Sequence, residues 1–227
     1  MAKDTARIPR RLTAELLAAG VGTLSTRDSD LARISNQLGP PPMWARRPGF
    51  PTLVRIILEQ QVSLASARAT YEKLTGTVGR LTPPRFLRLD GPTLRKIGFS
   101  RQKAQYCGEL AHLIVTRRLV LKSLESDNDA RAKARLVEIK GIGSWSADIY
   151  LLMALLRPDV WPSGDLALAV TVRRVKRLMS VPDPDELERI ARHWQPWRAV
   201  AARMLWHYYL SEKKGRNVTA MEPADSA

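Results

Sequence analysis

An aspartate at the mouth of a predicted helix is the residue of this sequence best placed to do chemistry. Asp165 follows the turn-forming residues 162–164 and precedes an apolar helical pattern that begins at Leu166. Aspartate at such a position is a good helix N-cap, contributing about 1 kcal/mol. The helix-end amides also orient the carboxylate, which could then stabilise the positive charge that builds on a sugar when a glycosidic bond breaks, and position or activate water. Cap and catalyst are compatible roles.

A Gly-x-Gly turn between two helical patterns is the second candidate site. In the segment 136–147, one helix ends, a turn follows, and an apolar helix begins at once. Glycines accept positive φ and leave no side chain between backbone and partner, while the first amides of the next helix lie at the positive end of its dipole. Such a turn binds phosphate without reading base sequence, although glycines that only permit close packing are the alternative. The predicted phosphate-binding residues are Lys140, Gly141, Gly143 and Ser144.

The charge balance predicts a polyanionic partner. The 227 residues carry a formal net charge of +15, which indicates nucleic acid or an anionic membrane. No run of about 18 apolar residues is present, so a transmembrane helix is not expected. The first four residues lack the apolar run of a signal peptide, so we expect the protein in the cytoplasm with the nucleoid, or in the nucleus of a eukaryotic host.

The cysteine and histidine content argues against metal catalysis. Cys107 is the only cysteine, which excludes a disulfide within the chain and an iron–sulfur cluster held by cysteines alone. It lies in a helical pattern, and we expect a buried structural thiol. The three histidines, His112, His193 and His207, are far apart and lack zinc spacing. We expect His207 in the core or in a pocket wall.

The elements that must position these residues are predicted to be helices. The periodicity is helical almost throughout, without an alternating strand pattern or an internal repeat, so the predicted fold class is all-α. Gly20 and Gly39 are predicted to end the first two helices, and the prolines at 40–42 predict a boundary between lobes. Helices are predicted over residues 12–19, 31–38, 52–60, 63–75, 83–89, 101–116, 128–137, 144–156, 184–194 and 196–213, with a further one from Asp165.

Five ordered segments of the chain carry a family resemblance. They are Ile57–Ser63, Gly98–Ala104, Gly141–Asp148, Gly164–Leu168 and Trp194–Ala202. Together they resemble the helix-hairpin-helix DNA glycosylases, specifically the 3-methyladenine DNA glycosylase II branch. The resemblance implies an enzyme that flips an alkylated base out of double-stranded DNA and hydrolyses its N-glycosidic bond, starting base excision repair.

The resemblance also implies the type of reaction. It makes Asp165 the counterpart of the family's catalytic aspartate. Bifunctional relatives carry, at the hairpin position of Trp145, a lysine that attacks the sugar and goes on to nick the strand. A tryptophan cannot form a Schiff base, so the resemblance implies a monofunctional hydrolase that leaves an abasic site.

A base pocket is implied by further matched positions. Trp145 and Trp206 match pocket-lining residues of the family, and aromatic faces attract cationic alkylated purines by roughly 0.5–2 kcal/mol. Leu166 is expected to touch the flipped base, and Ile149 stands where the family has a pocket tyrosine. Ordinary core packing is the alternative for each of these residues.

The remaining matched positions concern contacts with the DNA duplex. Gln61 matches the wedge that fills the gap left by the flipped nucleotide, with Gln60 as the alternative. Lys140 stands where the family usually has proline, and we interpret it as a phosphate contact. The family hairpin holds a monovalent cation, Na⁺ or K⁺, through backbone carbonyls, and no other cofactor is expected. The corresponding carbonyls are those of Val137, Ile139 and Ile142.

The resemblance finally implies a minimal monomeric form with two helical lobes and an active-site cleft between them. One lobe is predicted from residues 1–51 and 165–227, and the other from 52–164, ending in the helix-hairpin-helix at about 134–156. Three alternatives stay open: a non-enzymatic helix-hairpin-helix DNA-binding module, a bifunctional glycosylase and abasic-site lyase, and a basic membrane-surface protein. The preferred damaged base is not determined by the sequence.

Overall fold

Helices make up the regular structure of residues 10–219, which are the part of the chain that the computed structural model describes. No strand occurs in this range, so the all-α prediction is confirmed. None of these helices is long and apolar enough to cross a membrane. The α-helices are α1 (Ala14–Arg27), α2 (Ser29–Leu38), α3 (Phe50–Glu59), α4 (Leu64–Val78), α5 (Pro83–Phe86), α6 (Gly91–Ile97), α7 (Arg101–Val115), α8 (Asp129–Val137), α9 (Ser144–Met153), α10 (Leu166–Val175), α11 (Pro184–Ala191) and α12 (Arg198–Thr219).

The helices form two compact units. The hairpin unit, Ala45–Leu156, contains α3 to α9, and the acid unit contains the described parts of Met1–Trp44 and Arg157–Ala227. In the hairpin unit, α3 packs against α4, α7 and α9, and α8 packs against α9. In the acid unit, α12 packs against α1, α2 and α10. The helix-hairpin-helix and Asp165 therefore belong to different units.

The interior of the hairpin unit is organised around α9, whose residues 146–152 are all buried. Two polar side chains in this stretch have partners. The Tyr150 hydroxyl accepts a hydrogen bond from the Gly49 amide at 3.0 Å, and burial raises the pKa of Tyr150 to about 12. The Asp148 carboxylate, 2% exposed, accepts from Lys133 Nζ at 2.8 Å, which ties α8 to α9. Cys107 is also buried, as predicted.

Gly20 does not end the first helix, contrary to the prediction. The helix α1 continues through Gly20 to Arg27. A Cβ at Gly20 would lie 3.0 Å from Trp197 Cε3 and 3.0 Å from Val200 Cγ2. Glycine at this position therefore serves the close approach of α1 to the N-terminal part of α12, and packing replaces capping as its explanation. Gly39, with φ +70°, does end α2 as predicted.

The helix α6 was missed by the sequence analysis. Its start signals are present, because the Asp90 side chain accepts from the Thr93 amide at 2.8 Å and Pro92 lies in the first turn. The helix has only seven residues, of which Leu94 and Ile97 are buried. Two apolar positions are too few to establish a helical period.

Asp28 joins three elements of the acid unit. Its Oδ1 caps α2 by accepting from the Asp30 and Leu31 amides at 3.1 and 3.3 Å. Lys176 Nζ, just after α10, lies 2.7 Å from each carboxylate oxygen. Trp194 Nε1 donates to Oδ2 at 2.8 Å. One largely buried carboxylate thus holds the start of α2, the end of α10 and the segment before α12.

The Asp28 cluster makes the stability of this unit depend on pH. Burial alone would raise the pKa of Asp28, but the hydrogen bonds from Lys176 and Trp194 and the Lys176 charge outweigh it, so the net pKa is lowered from 3.8. Because the folded-state pKa is the lower one, the stabilisation is fully present above the unfolded-state value. It is lost as the pH falls through the folded-state pKa.

Lys176 keeps a second carboxylate, that of Asp30 at 3.1 Å, so we expect Asp28→Asn to lower the free energy of unfolding by about 2 kcal/mol at neutral pH. Asparagine can still cap α2 through its oxygen, so the loss reports the missing charge opposite Lys176 together with the lost acceptor of the Trp194 N–H. Urea denaturation at neutral pH and at successively lower pH measures both effects, and the variant should show a shallower acid dependence. Asp90→Asn, at an exposed cap, is the control. Equal losses in the two variants would contradict the ion-pair account.

Candidate active site and nucleic-acid interface

Asp165 is both a helix cap and a positioned acid. The helix α10 begins directly after it, and its Oδ1 accepts from the Leu168 amide at 2.9 Å. The same oxygen accepts from Trp206 Nε1 at 3.2 Å. The indole belongs to α12, which packs against α10. The carboxylate is therefore held from its own helix and from a neighbouring one, and its orientation does not depend on the cap alone.

Trp206 is supported by an aromatic cluster that the sequence analysis did not include. Trp206 is 8% exposed, and the Trp44 ring lies edge-on to it with centroids 6.4 Å apart. Trp44 also contacts His207 edge-on at 6.4 Å. The sequence offers little to identify Trp44. What distinguishes this residue is structural, namely its tertiary contacts and its positive φ of +46°. Within residues 10–219, no group of His, Cys, Asp and Glu that could hold a metal ion is found.

Leu166 is the exposed apolar neighbour of this acid. It is 73% exposed although it occupies the first position of α10. A large aliphatic side chain left in water beside a carboxylate suits contact with a ligand better than a role in folding. Asp165, Leu166 and Trp206, three of the predicted site residues, therefore lie together in the acid unit.

The hairpin turn depends on Gly141. Its φ is +88°, and a Cβ would lie 2.2 Å from Tyr106 Cγ on α7. Both the backbone conformation and the space therefore require glycine. Gly143 differs, because its φ is −83° and a Cβ there would meet nothing within 4 Å. Gly143 and Ser144 are exposed where α9 begins, as a phosphate-binding helix N-terminus requires.

Lys140 is the exposed cation of the hairpin. Its Nζ lies 3.3 Å from Glu109 Oε1, with the two side chains 58% and 39% exposed. An exposed pair of this kind contributes at most about 1 kcal/mol. The ammonium group is therefore free to exchange this carboxylate for a phosphate at little cost.

The turn after α3 is tied to the hairpin through Gln60. Gln60 Nε2 donates to the Gly141 carbonyl at 2.8 Å and to Ser146 Oγ at 2.9 Å. From α7, Lys103 Nζ donates to the Leu58 and Gln60 carbonyls at 2.8 Å each. Lys103, which the sequence analysis did not single out, thus holds the C-terminal end of α3 in place. Lys103 and Gly141 together fix the turn after α3 beside the hairpin.

Gln61 is the exposed residue of that turn. It has φ +56°, a backbone conformation that non-glycine residues rarely adopt. The side chains of Val62 and Leu64, which follow, are 45% and 65% exposed. Because the Gln60 amide is engaged by the hairpin, Gln61 is the better of the two wedge candidates. The turn and the hairpin also line one cavity of about 500 Å³, together with Gln102, Lys103 and Tyr106.

Two further predicted residues lie on α9. Trp145 is half-buried in the first turn, one residue after Ser144. Ile149 is 3% exposed, one turn farther along the helix. The hairpin unit therefore contains the predicted hairpin residues, the wedge and these two candidates for the base pocket.

The two hairpin glycines should respond differently to alanine. Gly141→Ala forces a clash with Tyr106 at positive φ and should lower the free energy of unfolding by roughly 3 kcal/mol. Gly143→Ala has space for its Cβ and should change it by under about 1 kcal/mol, yet weaken duplex binding roughly tenfold because the methyl group lies where a phosphate would approach. Chemical denaturation and anisotropy titration with duplex DNA measure the two effects. Wild-type affinity in Gly143→Ala would show that the hairpin amides do not contact phosphate.

Comparison with known proteins gives consistent matches to one family. Residues 54–196, more than half of the chain, match the model of the HhH-GPD superfamily base excision DNA repair proteins. The Schizosaccharomyces pombe alkylbase DNA glycosidase-like protein mag2 is 26% identical over 200 residues, covering 85% of this chain and 94% of that protein. A Bacillus subtilis DNA-3-methyladenine glycosylase is 27% identical over 169 residues, covering 69% of this chain and 56% of its own length.

The fold has close counterparts among solved structures. The Schizosaccharomyces pombe 3-methyladenine DNA glycosylase Mag1, in complex with abasic DNA, superposes with a TM-score of 0.78 at 24% identity, covering 86% of this chain and 97% of that one. The Bacillus halodurans DNA-3-methyladenine glycosidase gives 0.73 at 27% identity, covering 86% and 91%. The chain belongs to the HhH-GPD superfamily of base excision DNA repair proteins, in the branch whose members are named DNA-3-methyladenine glycosylases.

Proposed function

We propose that this protein is a monofunctional DNA glycosylase that removes alkylated bases of the 3-methyladenine type from double-stranded DNA. The observation that carries the proposal is the Asp165 carboxylate, which is held by the α10 amide and the Trp206 indole beside the exposed Leu166. An N-cap alone needs neither the second donor nor an exposed apolar neighbour. Family membership supports the reaction class.

The reaction needs one fixed negative charge. As the bond between C1′ and the base nitrogen breaks, its electron pair leaves with the base and positive charge builds on the sugar. The Asp165 carboxylate stabilises this charge, and an attacking water adds its oxygen to C1′ while giving up a proton to the carboxylate. Trp206 acts by positioning, because its N–H keeps the acid in one orientation. With Trp145 at the hairpin position, no amine is available there to form a Schiff base, and the product is an intact strand with an abasic site.

The hairpin unit supplies the contacts to the duplex. Backbone amides at Gly143 and Ser144 and the Lys140 ammonium group bind phosphate. Gln61, on its strained and exposed turn, fills the gap left by the flipped nucleotide, which offsets part of the few kcal/mol that flipping costs. Trp145 and Ile149, with Trp206 and Leu166, are the proposed contacts of the flipped base.

We also propose a monovalent cation, Na⁺ or K⁺, at the hairpin. Backbone carbonyl oxygens are hard ligands suited to such ions, and the family resemblance is what supports this proposal. The carbonyls of Val137, Ile139 and Ile142 would hold it. Its charge would strengthen the attraction for phosphate and would take no part in bond breaking.

We also propose that the protein acts as a monomer on chromosomal DNA, in the nucleoid or, in a eukaryote, the nucleus.

Asp165→Asn tests the catalytic role. Asparagine still caps α10, so the variant should fold and bind duplex DNA, while release of methylpurines from methylated DNA falls by about 100-fold or more. Chromatography of released bases measures the rate, and strand breaks that appear only after alkali identify the monofunctional product. Asp183→Asn, which alters the cap of α11, is the control. If Asp165→Asn releases bases at the wild-type rate, Asp165 is only a helix cap. If the wild type releases no bases, a non-enzymatic DNA-binding module is favoured.

Trp206→Phe tests the positioning role. The variant keeps an aromatic ring but loses the N–H that Asp165 accepts. We expect kcat to fall roughly tenfold with duplex affinity unchanged. Trp161→Phe is a matched control, because Trp161 is 4% exposed and its Nε1 is buried without a hydrogen-bond partner. Equal losses of kcat in both variants would show that repacking, rather than the lost hydrogen bond, causes the effect.

A further inference from the structure

A basic groove lies in the hairpin unit, away from the hairpin itself. Its volume is about 1000 Å³, and its walls come from the segment 45–48, from α3 and α4, and from the segments at 80–83 and 114–122. No aspartate or glutamate is among the described residues that line it. The cations that line it are Arg46, Arg47, Arg55, Arg80, Arg117 and Lys122.

The groove and the hairpin cavity share no lining residue and take in different parts of the packed helices α3 and α7. In the hairpin cavity, Gln60 follows α3 and Lys103 lies at the start of α7. In the groove, Phe50 begins α3 and Ile114 lies near the end of α7. Ile114 lies eleven positions after Lys103 in α7, a helical rise of roughly 16 Å. A ligand in the groove therefore need not compete with a phosphate at the hairpin.

Most of the groove cations are not neutralised by the protein. Arg46 and Arg55 pair with Glu59 at 2.9 and 3.2 Å. The other four are exposed and form no ion pair with a carboxylate of residues 10–219; they are Arg47, Arg80, Arg117 and Lys122. Clustered like charges repel one another, so a cluster without internal partners is stabilised by an external anion.

The floor of the groove is mostly aliphatic, and two aromatic residues, Phe50 and Tyr71, also line it. Leu81, Ile114 and Val120 contribute aliphatic surface, and Val120 is 52% exposed. Phe50 is only 4% exposed, and the Arg55 guanidinium lies over the Tyr71 ring at 5.9 Å. Proteins that bind single-stranded nucleic acid combine cations with aromatic rings on which bases stack. Cations around an aliphatic floor instead suit carboxylates interspersed with apolar side chains.

We propose that this groove binds a short acidic and apolar segment of a partner protein while the hairpin unit is engaged with DNA. Carboxylates of that segment pair with Arg47, Arg80 and Arg117, and its apolar side chains cover Val120 and the adjoining floor. The groove thus gives the protein a second interaction surface, independent of base removal.

A peptide-display library of short random sequences, selected on the full-length protein bound to duplex DNA, tests this proposal. Enriched peptides are then titrated by fluorescence anisotropy against the wild type and the triple variant Arg47→Ala, Arg80→Ala, Arg117→Ala. The control is Lys73→Ala, Arg88→Ala, Arg95→Ala, which removes the same charge from exposed positions outside the groove. Thermal unfolding and base release verify that both variants stay folded and active.

We expect enrichment of sequences in which aspartate or glutamate flanks apolar residues. Their affinity should fall roughly tenfold or more in the groove variant and stay unchanged in the control. Failure to enrich this class, or equal losses in both variants, would overturn the proposal. Single-stranded oligothymidylate is titrated in parallel, and a loss of its binding confined to the groove variant, without peptide enrichment, would reassign the groove to nucleic acid.

Discussion

The close approach of the Gly141 backbone to the Tyr106 ring is the constraint on which the hairpin unit depends. There is no room for a Cβ at this point, so the turn between α8 and α9 can lie directly against α7. The Gly141 carbonyl then accepts from Gln60, and Lys103, one turn before Tyr106, holds the carbonyls at the end of α3. One glycine thus brings the phosphate-binding turn, the wedge turn and the start of α7 together.

The acid unit uses carboxylates in two ways that differ in their partners. Asp28 caps α2 and also faces Lys176 and Trp194, so its charge is neutralised within the protein and stabilises the fold. Asp165 caps α10 and also accepts a hydrogen bond from the Trp206 indole. Its neighbour Leu166 is 73% exposed, so this carboxylate lies beside surface that a ligand can reach. The surroundings of the carboxylate separate a structural aspartate from one suited to catalysis.

The excess positive charge of the chain is distributed over more than one surface. Lys140 accounts for a contact at the hairpin, whereas the groove cations line a separate cavity that shares no residue with the hairpin cavity. Electrostatic attraction for DNA is long-ranged and benefits from both. A surface that only attracts polyanions needs nothing but positive charge. A groove suited to a protein segment also needs apolar surface beside its unpaired cations.

The sequence by itself determined the helical class, most of the helix starts and the family. These depend on local rules, since Asp165, Ser100 and Asn128 each cap a helix through the amide three residues farther along the chain. The family motifs are likewise contiguous, and they identified Asp165, Trp145 and the hairpin glycines as candidates. Gly20 shows where local rules fail. In the sequence, a glycine that close packing requires inside a helix looks the same as a glycine that ends one.

Only the tertiary structure showed that Trp206 donates to Asp165, that Trp44 supports Trp206, and that Gln60 is engaged while Gln61 is exposed. It also brought together the groove cations, which come from segments up to 76 positions apart. Such contacts join residues that are distant in the chain, and a side chain's partner there depends on how helices pack. Helix packing is decided by the fit of many side chains at once, which is why no single motif could predict it.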